Sequence, residues 1–205
     1  MLRLMLVVAG LALPCFAQSA TVRVSHDQMG GTVMPGETIR ITANIAWEGA
    51  AQWAGLKGEF LAVGDAGAAS NVGSPIHPSV TVTLGFPDGG SVKGFDVAST
   101  PAYFTGGIVP PLPWSLSATG SNEFLWYDWT APSVSSPTTI SFDFVAHPIA
   151  PNVRLYPTSA SPAFIEAPTT YIGTSILVVP APAGLALLGV GAIGARRRAR
   201  HASGI

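Results

Sequence analysis

The chain has 205 residues, 48% of them hydrophobic and 10% charged, a length that suits one medium domain plus processing segments rather than two independent cores. Basic residues crowd the ends, with Arg3 near the start and Arg196, Arg197, Arg198 and Arg200 near the finish. The middle keeps Arg23, Arg40, Lys57, Lys93 and Arg154 against all eleven acids, a formal charge of −6, which excludes the basic surface that nucleic acid requires.

Residues 1–20 read as a secretory signal: Arg3 gives a positive start, residues 4–16 are almost continuously apolar, and small residues follow. Cleavage by signal peptidase after Ala17 places Cys15 and Ala17 in the small-residue positions, and cleavage after Ser19 or Ala20 is the alternative. Pro14 directly before Cys15 argues against lipid attachment at that cysteine. Cys15 is the only cysteine, so the processed chain has no thiol and no disulfide and must be held by core packing.

From residue 21 to 178 the pattern is β. Residues 38–47 alternate, with Ile39, Ile41, Ala43, Ile45 and Trp47 on one face and Thr38, Arg40, Thr42 and Asn44 on the other, the signature of a half-buried strand. The same period puts Val80, Val82 and Leu84 inward over residues 79–84, and Ile140, Phe142 and Phe144 inward over residues 138–146. Further strands are expected over residues 21–25, 56–63, 92–98, 124–129, 153–156 and 171–178. Turn formers separate them, including Pro35-Gly36-Glu37 and Pro87-Asp88-Gly89-Gly90, and a long irregular stretch covers residues 101–120. About nine short one-sided strands with no readable helix predict a two-sheet antiparallel β-sandwich, since each apolar face must be covered by another. The run Pro35-Gly36-Glu37-Thr38-Ile39-Arg40-Ile41-Thr42 resembles the opening of immunoglobulin-like and cohesin-like sandwiches. A jelly-roll is the other arrangement compatible with this strand count.

Chemistry-bearing residues are sparse. His26, His77 and His147 are the histidines of this region, His77 and His147 both precede proline, and no serine stands in a Gly-x-Ser-x-Gly elbow. Neither a zinc-ligand spacing nor an Asp-x-Asp-x-Asp-Gly loop is present, so no metal and no cofactor is expected. Asp65, Asn71 and Asp88 in loop-like stretches read as turn residues bonding their own backbone. The expectation is a protein that is not an enzyme. The strongest local feature is Phe124-Leu125-Trp126-Tyr127-Asp128-Trp129. Alternation puts Leu125, Tyr127 and Trp129 on one face and Phe124, Trp126 and Asp128 on the other. One reading is a strand buried on both sides, with Trp114 in the preceding loop as a cover; the other is an exposed aromatic surface where Trp126 or Trp129 stacks on a sugar of an exopolysaccharide and Asp128 bonds its hydroxyls.

Residues 176–195 hold no charge and are followed by Arg196-Arg197-Arg198-Ala199-Arg200. About 20 apolar residues can span a bilayer, and the basic cluster stays on the cytoplasmic side. Pro180 and Pro182 confine the expected apolar helix to residues 183–195. The order Val179-Pro180-Ala181-Pro182, then the apolar run from Leu185 to Ile193, then the arginines resembles the tripartite PEP-CTERM sorting signal, with Ala181 where that family usually has glutamate. The resemblance covers about the last 30 residues. It implies recognition by a membrane exosortase, cleavage near the Pro-x-Pro motif, and transfer to the cell surface or an exopolysaccharide-rich extracellular matrix. An ordinary C-terminal membrane anchor is the alternative. The organisation expected is a signal over residues 1–20, a sandwich over 21–178 and a sorting tail over 179–205.

Overall fold

A computed structural model describes residues 18–50, 52–75, 81–98, 119–158 and 163–181. Fourteen strands and one short 3-10 turn, Val63–Asp65, make up the regular structure among these residues. The strands are β1 (Ser19–His26), β2 (Thr32–Val33), β3 (Thr38–Glu48), β4 (Gln52–Ala62), β5 (Ala68–Gly73), β6 (Thr81–Thr83) and β7 (Phe86–Asp88), followed by β8 (Ser91–Ala98), β9 (Thr119–Thr130), β10 (Thr138–Ala146), β11 (Val153–Tyr156), β12 (Ile165–Ala167), β13 (Thr169–Ile172) and β14 (Thr174–Val178). They form two sheets. One has the order β13-β1-β3-β9-β5; the other runs β12-β11-β4-β10-β14-β2, with β8 also pairing β4 and carrying β6 and β7. The pairing is antiparallel except at two margins, where β13 runs parallel to β1 and β2 parallel to β14.

The expected sandwich is therefore the fold. Alternation in β3 does what the sequence requires: Ile39, Ile41, Ala43, Ile45 and Trp47 are all buried, while Thr38, Arg40 and Glu48 are exposed. From the opposite sheet Phe60, Val92, Phe95, Ile140, Phe142, Phe144, Ile176 and Val178 close the core. Phe60 sits at its centre, with its ring 4.8 Å from Phe144, 5.9 Å from Phe95 and 5.9 Å from Phe124, in the edge-on and tilted geometries that aromatic quadrupoles favour.

Several boundaries differ from the sequence expectation, with β4 starting early at Gln52 and β9 at Thr119, and two of them shape the fold's ends. The fold starts at Ser19, not at residue 21: Ala20 is buried, pairs with Trp47 and Thr169, and donates its N–H to the Pro168 carbonyl at 3.0 Å. The single strand expected over residues 171–178 is two strands in different sheets, parted at Gly173. There the chain crosses the sandwich in so little room that a Cβ would overlap the Asp143 carboxylate and stand 2.7 Å from the Phe142 carbonyl oxygen. Gly173→Ala is expected to cost about 1–3 kcal/mol as overpacking, visible as a lower urea midpoint with an unchanged slope.

This crossing sets the polarity of the molecule. β13 climbs alongside β1, with Ala20 opposite Thr169 and Arg23 opposite Ile172, and β14 continues in the same direction until the His26 imidazole donates from Nε2 to the Ser175 carbonyl. Ser19 and Val178 thus lie at opposite poles of the sandwich. Thr138 pairs with Val178 at the exit pole, and β10 runs from there towards Ala146 at the entry pole.

Candidate functional site

The aromatic strand is resolved by a bulge. β9 pairs with β3 so that Leu125 faces Ala43 and Glu123 faces Asn44, leaving Phe124 as the extra residue. A bulge puts adjacent residues on one side of the sheet, and Phe124, Leu125, Tyr127 and Trp129 are all buried. Strict alternation had placed Phe124 beside Trp126 and Asp128; the inserted residue turns it to the core instead.

Trp129 is correspondingly removed from any sugar-stacking role. It is 0% exposed, its ring is 5.0 Å from that of Phe142 at 86°, and its indole N–H donates to the Ala66 carbonyl at 2.8 Å. Trp126 and Asp128 do point outward, on the far face of the five-stranded sheet. The Arg40 guanidinium lies 4.1 Å from the Trp126 ring centroid, and Gly73 stands against the six-membered ring so closely that no side chain would fit. Asp128 accepts from Arg40 Nε at 3.2 Å through one oxygen and from Asn71 Nδ2 at 2.9 Å through the other. Asn71 reaches it because its backbone is left-handed, φ 48°, a conformation that asparagine tolerates. The ring face and both carboxylate oxygens that a sugar would use therefore already carry protein partners.

The remaining candidate residues are dispersed. Asp65 accepts from the buried Ser91 hydroxyl at 2.6 Å, and that hydroxyl accepts the Ala62 N–H. Asp88 pairs with Lys93 at 2.6 Å, and this contact raises the lysine above its ordinary pKa. His26 ends β1 at the exit pole, whereas His147 follows β10 near the entry pole and accepts the Ile149 N–H at Nδ1. His77 and Trp114 lie outside the described residues. An open groove of about 480 Å³ crosses the outer face of the second sheet, lined by Glu59, Leu61, Val63, Lys93, Asp143 and Val145. Among the described residues no three His, Cys, Asp or Glu side chains group as metal ligands.

Tyr127 lies on the inward face of β9 beside Leu125 and Trp129. Its hydroxyl is buried without a hydrogen-bond partner among the described residues, and desolvation pushes its pKa well above the ordinary 10.0. In the unfolded chain it ionises near that ordinary value while the folded chain keeps it protonated, so its contribution is constant below pH 10 and stability falls as pH rises beyond. Tyr171 shares the upward shift from burial. Tyr127→Phe is expected to be neutral or stabilising by up to about 1 kcal/mol at pH 8 and to shallow the alkaline loss, as read from urea midpoints at pH 8 and pH 11.

Of the residues expected to form a sorting signal, Val179, Pro180 and Ala181 are described and follow β14 directly. Ala17, Pro182, Arg196, Arg197 and Arg198 lie outside the described residues. No helix among the described residues is long and apolar enough to cross a membrane.

No family model and no curated protein matches the sequence. Solved structures with a similar chain path include the seventh type I cohesin of ScaB from Pseudobacteroides cellulosolvens, with 8% identity, 80% of this chain and 92% of that one covered, and a TM-score of 0.48. The Coh-OlpC–Doc435 complex of Clostridium thermocellum matches with 10% identity, 80% and 95% coverage and a TM-score of 0.49. A non-cellulosomal cohesin from Archaeoglobus fulgidus gives 8% identity, 83% and 97% coverage and 0.45. At these values the likeness bears on no ligand, partner or location of this chain.

Proposed function

We propose that this chain is an exported protein of the cell surface or extracellular matrix, sorted by an exosortase, whose sandwich is a non-catalytic structural or adhesive module. The observation that carries the reading is the fit between the fold and the two processing segments. β1 begins at Ser19, two residues beyond Ala17, and β14 ends at Val178, directly before Val179-Pro180-Ala181-Pro182. The last backbone tie of the fold is the Val179 N–H to the Val33 carbonyl at 2.9 Å. Signal peptidase acting after Ala17 and an exosortase acting near Pro180 would release the folded unit whole. Cleavage after Ala20 would instead remove Ser19 and Ala20 from a central strand. The dispersed histidines and internally paired carboxylates fit a surface module rather than an enzyme, because catalysis needs groups that converge.

Deleting residues 183–205 tests this reading. The truncated chain is expected to leave the surface fraction and accumulate as a soluble, folded species, because it has lost the apolar run and the arginines that the sorting machinery would read. An unchanged surface distribution would overturn it.

A further inference from the structure

The part of the exit pole beside the exit strand has a composition unlike that of the rest of the domain. It is built from residues 28–36, which join β1 to β3 through β2, and residues 130–139, which join β9 to β10; neither stretch contains a charged residue, although the central region carries a formal −6, and the nearest loops that do, with Asp65 and Asp88, stand on the β5 side of the same end. The two stretches are tied together by Gly36 N–H to the Ala131 carbonyl and Ala131 N–H to the Glu37 carbonyl, each at 2.9 Å. Both are tied to the exit strand, the first by Leu177 N–H to Gly31 and Val179 N–H to Val33, the second by the pairing of Thr138 with Val178. The flanking carboxylates are exposed and each accepts a backbone N–H: Glu37 from Met34 at 2.8 Å and Asp27 from Arg40 at 3.0 Å. On the first of these uncharged stretches Met29 is 93% exposed and Met34 is 48% exposed.

Chain length then fixes what this pole can face. Only four residue steps separate Val179, the last residue bonded to the fold, from Ala183, where the apolar run begins, a reach of at most about 14 Å. The headgroup layer takes up roughly 5–7 Å of that on one side of a bilayer. We propose that, while the tail is attached, the Met34 pole rests on the lipid headgroups of the membrane, with Met34 and Met29 as apolar contacts. The proposal depends on the reading of residues 183–195 as membrane-inserted. A domain of charge −6 would ordinarily be repelled by an anionic bilayer; presenting the uncharged stretches 28–36 and 130–139 at the point of closest approach lessens that repulsion, with the charges of Asp27 and Glu37 held to their flanks. Close seating also places the Pro180 region at the membrane surface, within reach of an enzyme embedded there.

The test uses the tail-bearing chain with Cys15→Ser, so that an introduced cysteine is the only thiol. Met34→Cys at the exit pole and Ile149→Cys, an 83% exposed position near the entry pole, are each labelled with an environment-sensitive fluorophore. The chains are reconstituted into phosphatidylethanolamine and phosphatidylglycerol vesicles containing headgroup spin-labelled lipid. The expected result is that both chains float with the vesicles and that the label at residue 34 is quenched several-fold more than that at residue 149. Flotation with equal quenching at the two positions would overturn the pole's contact with lipid while leaving the anchor in place. Failure to float would overturn the membrane reading of residues 183–195 and the proposal with it.

Discussion

Phe60→Ala is expected to destabilise the sandwich by about 3–5 kcal/mol, the range for removing a buried aromatic ring. Phe60 is on β4, and its ring meets Phe95 of β8, Phe144 of β10, and Phe124 and Tyr127 of β9 in the opposite sheet. These partners come from three strands and both sheets, so the surroundings cannot collapse onto the vacancy without moving the sheets apart, and the cavity term adds to the transfer term. A chain with one cysteine has no internal disulfide, so this is a large part of the roughly 5–15 kcal/mol typical of a domain. Urea unfolding at neutral pH measures it. A loss below about 1 kcal/mol, well short of the expected range, would mean that the two sheets do not meet at Phe60.

The second large effect separates two tryptophans three residues apart on one strand. Trp129→Ala should cost about 3–5 kcal/mol, because it removes a fully buried indole and leaves the Ala66 carbonyl without its donor. The loop from Ala66 to Ala69 is otherwise pinned through Ala69 N–H to Gly89, so loosening is expected to spread to the start of β5. Trp126→Ala should cost only about 0.5–1 kcal/mol, the value of an exposed cation–π contact, since Arg40 keeps its ion pair with Asp128. Equal costs at the two positions would contradict the register of β9 against β3, which turns Trp129 inward and Trp126 outward. Polysaccharide affinity measured on the Trp126→Ala protein would in the same experiment show whether the covered ring has any part in sugar binding.

The fold class was legible because period-two burial acts residue by residue. In β3 and β10 every inward position assigned from alternation is buried. What escaped is what alternation does not encode. The bulge at Phe124 changes the phase of β9, and no local residue marks it, since Asn122, Glu123 and Phe124 all fit a regular strand. Gly173 reads as an ordinary strand glycine until β13 and β14 are placed in different sheets. β5, Ala68–Gly73, lacks the β-branched run that announces a strand; it is held by Trp129 and Asp128 of its neighbour. The candidate site was less legible than the fold. The sequence names Trp126, Asp128 and Trp129 together, but their roles follow from register and from Arg40, 88 residues away from Asp128 in the chain. The proposed sorting segments are the converse case, since they rest on charge and apolar runs in the sequence alone.

The mass of the mature protein recovered from its native host, outside the cell and in the membrane, tests the central claim most directly. The account predicts a chain beginning at Gln18, immediately ahead of β1, and ending within Val179-Pro180-Ala181-Pro182, so that the sandwich leaves intact and both processing segments are gone. A mass that retains residues 183–205 would contradict exosortase sorting and leave a membrane-anchored sandwich in its place.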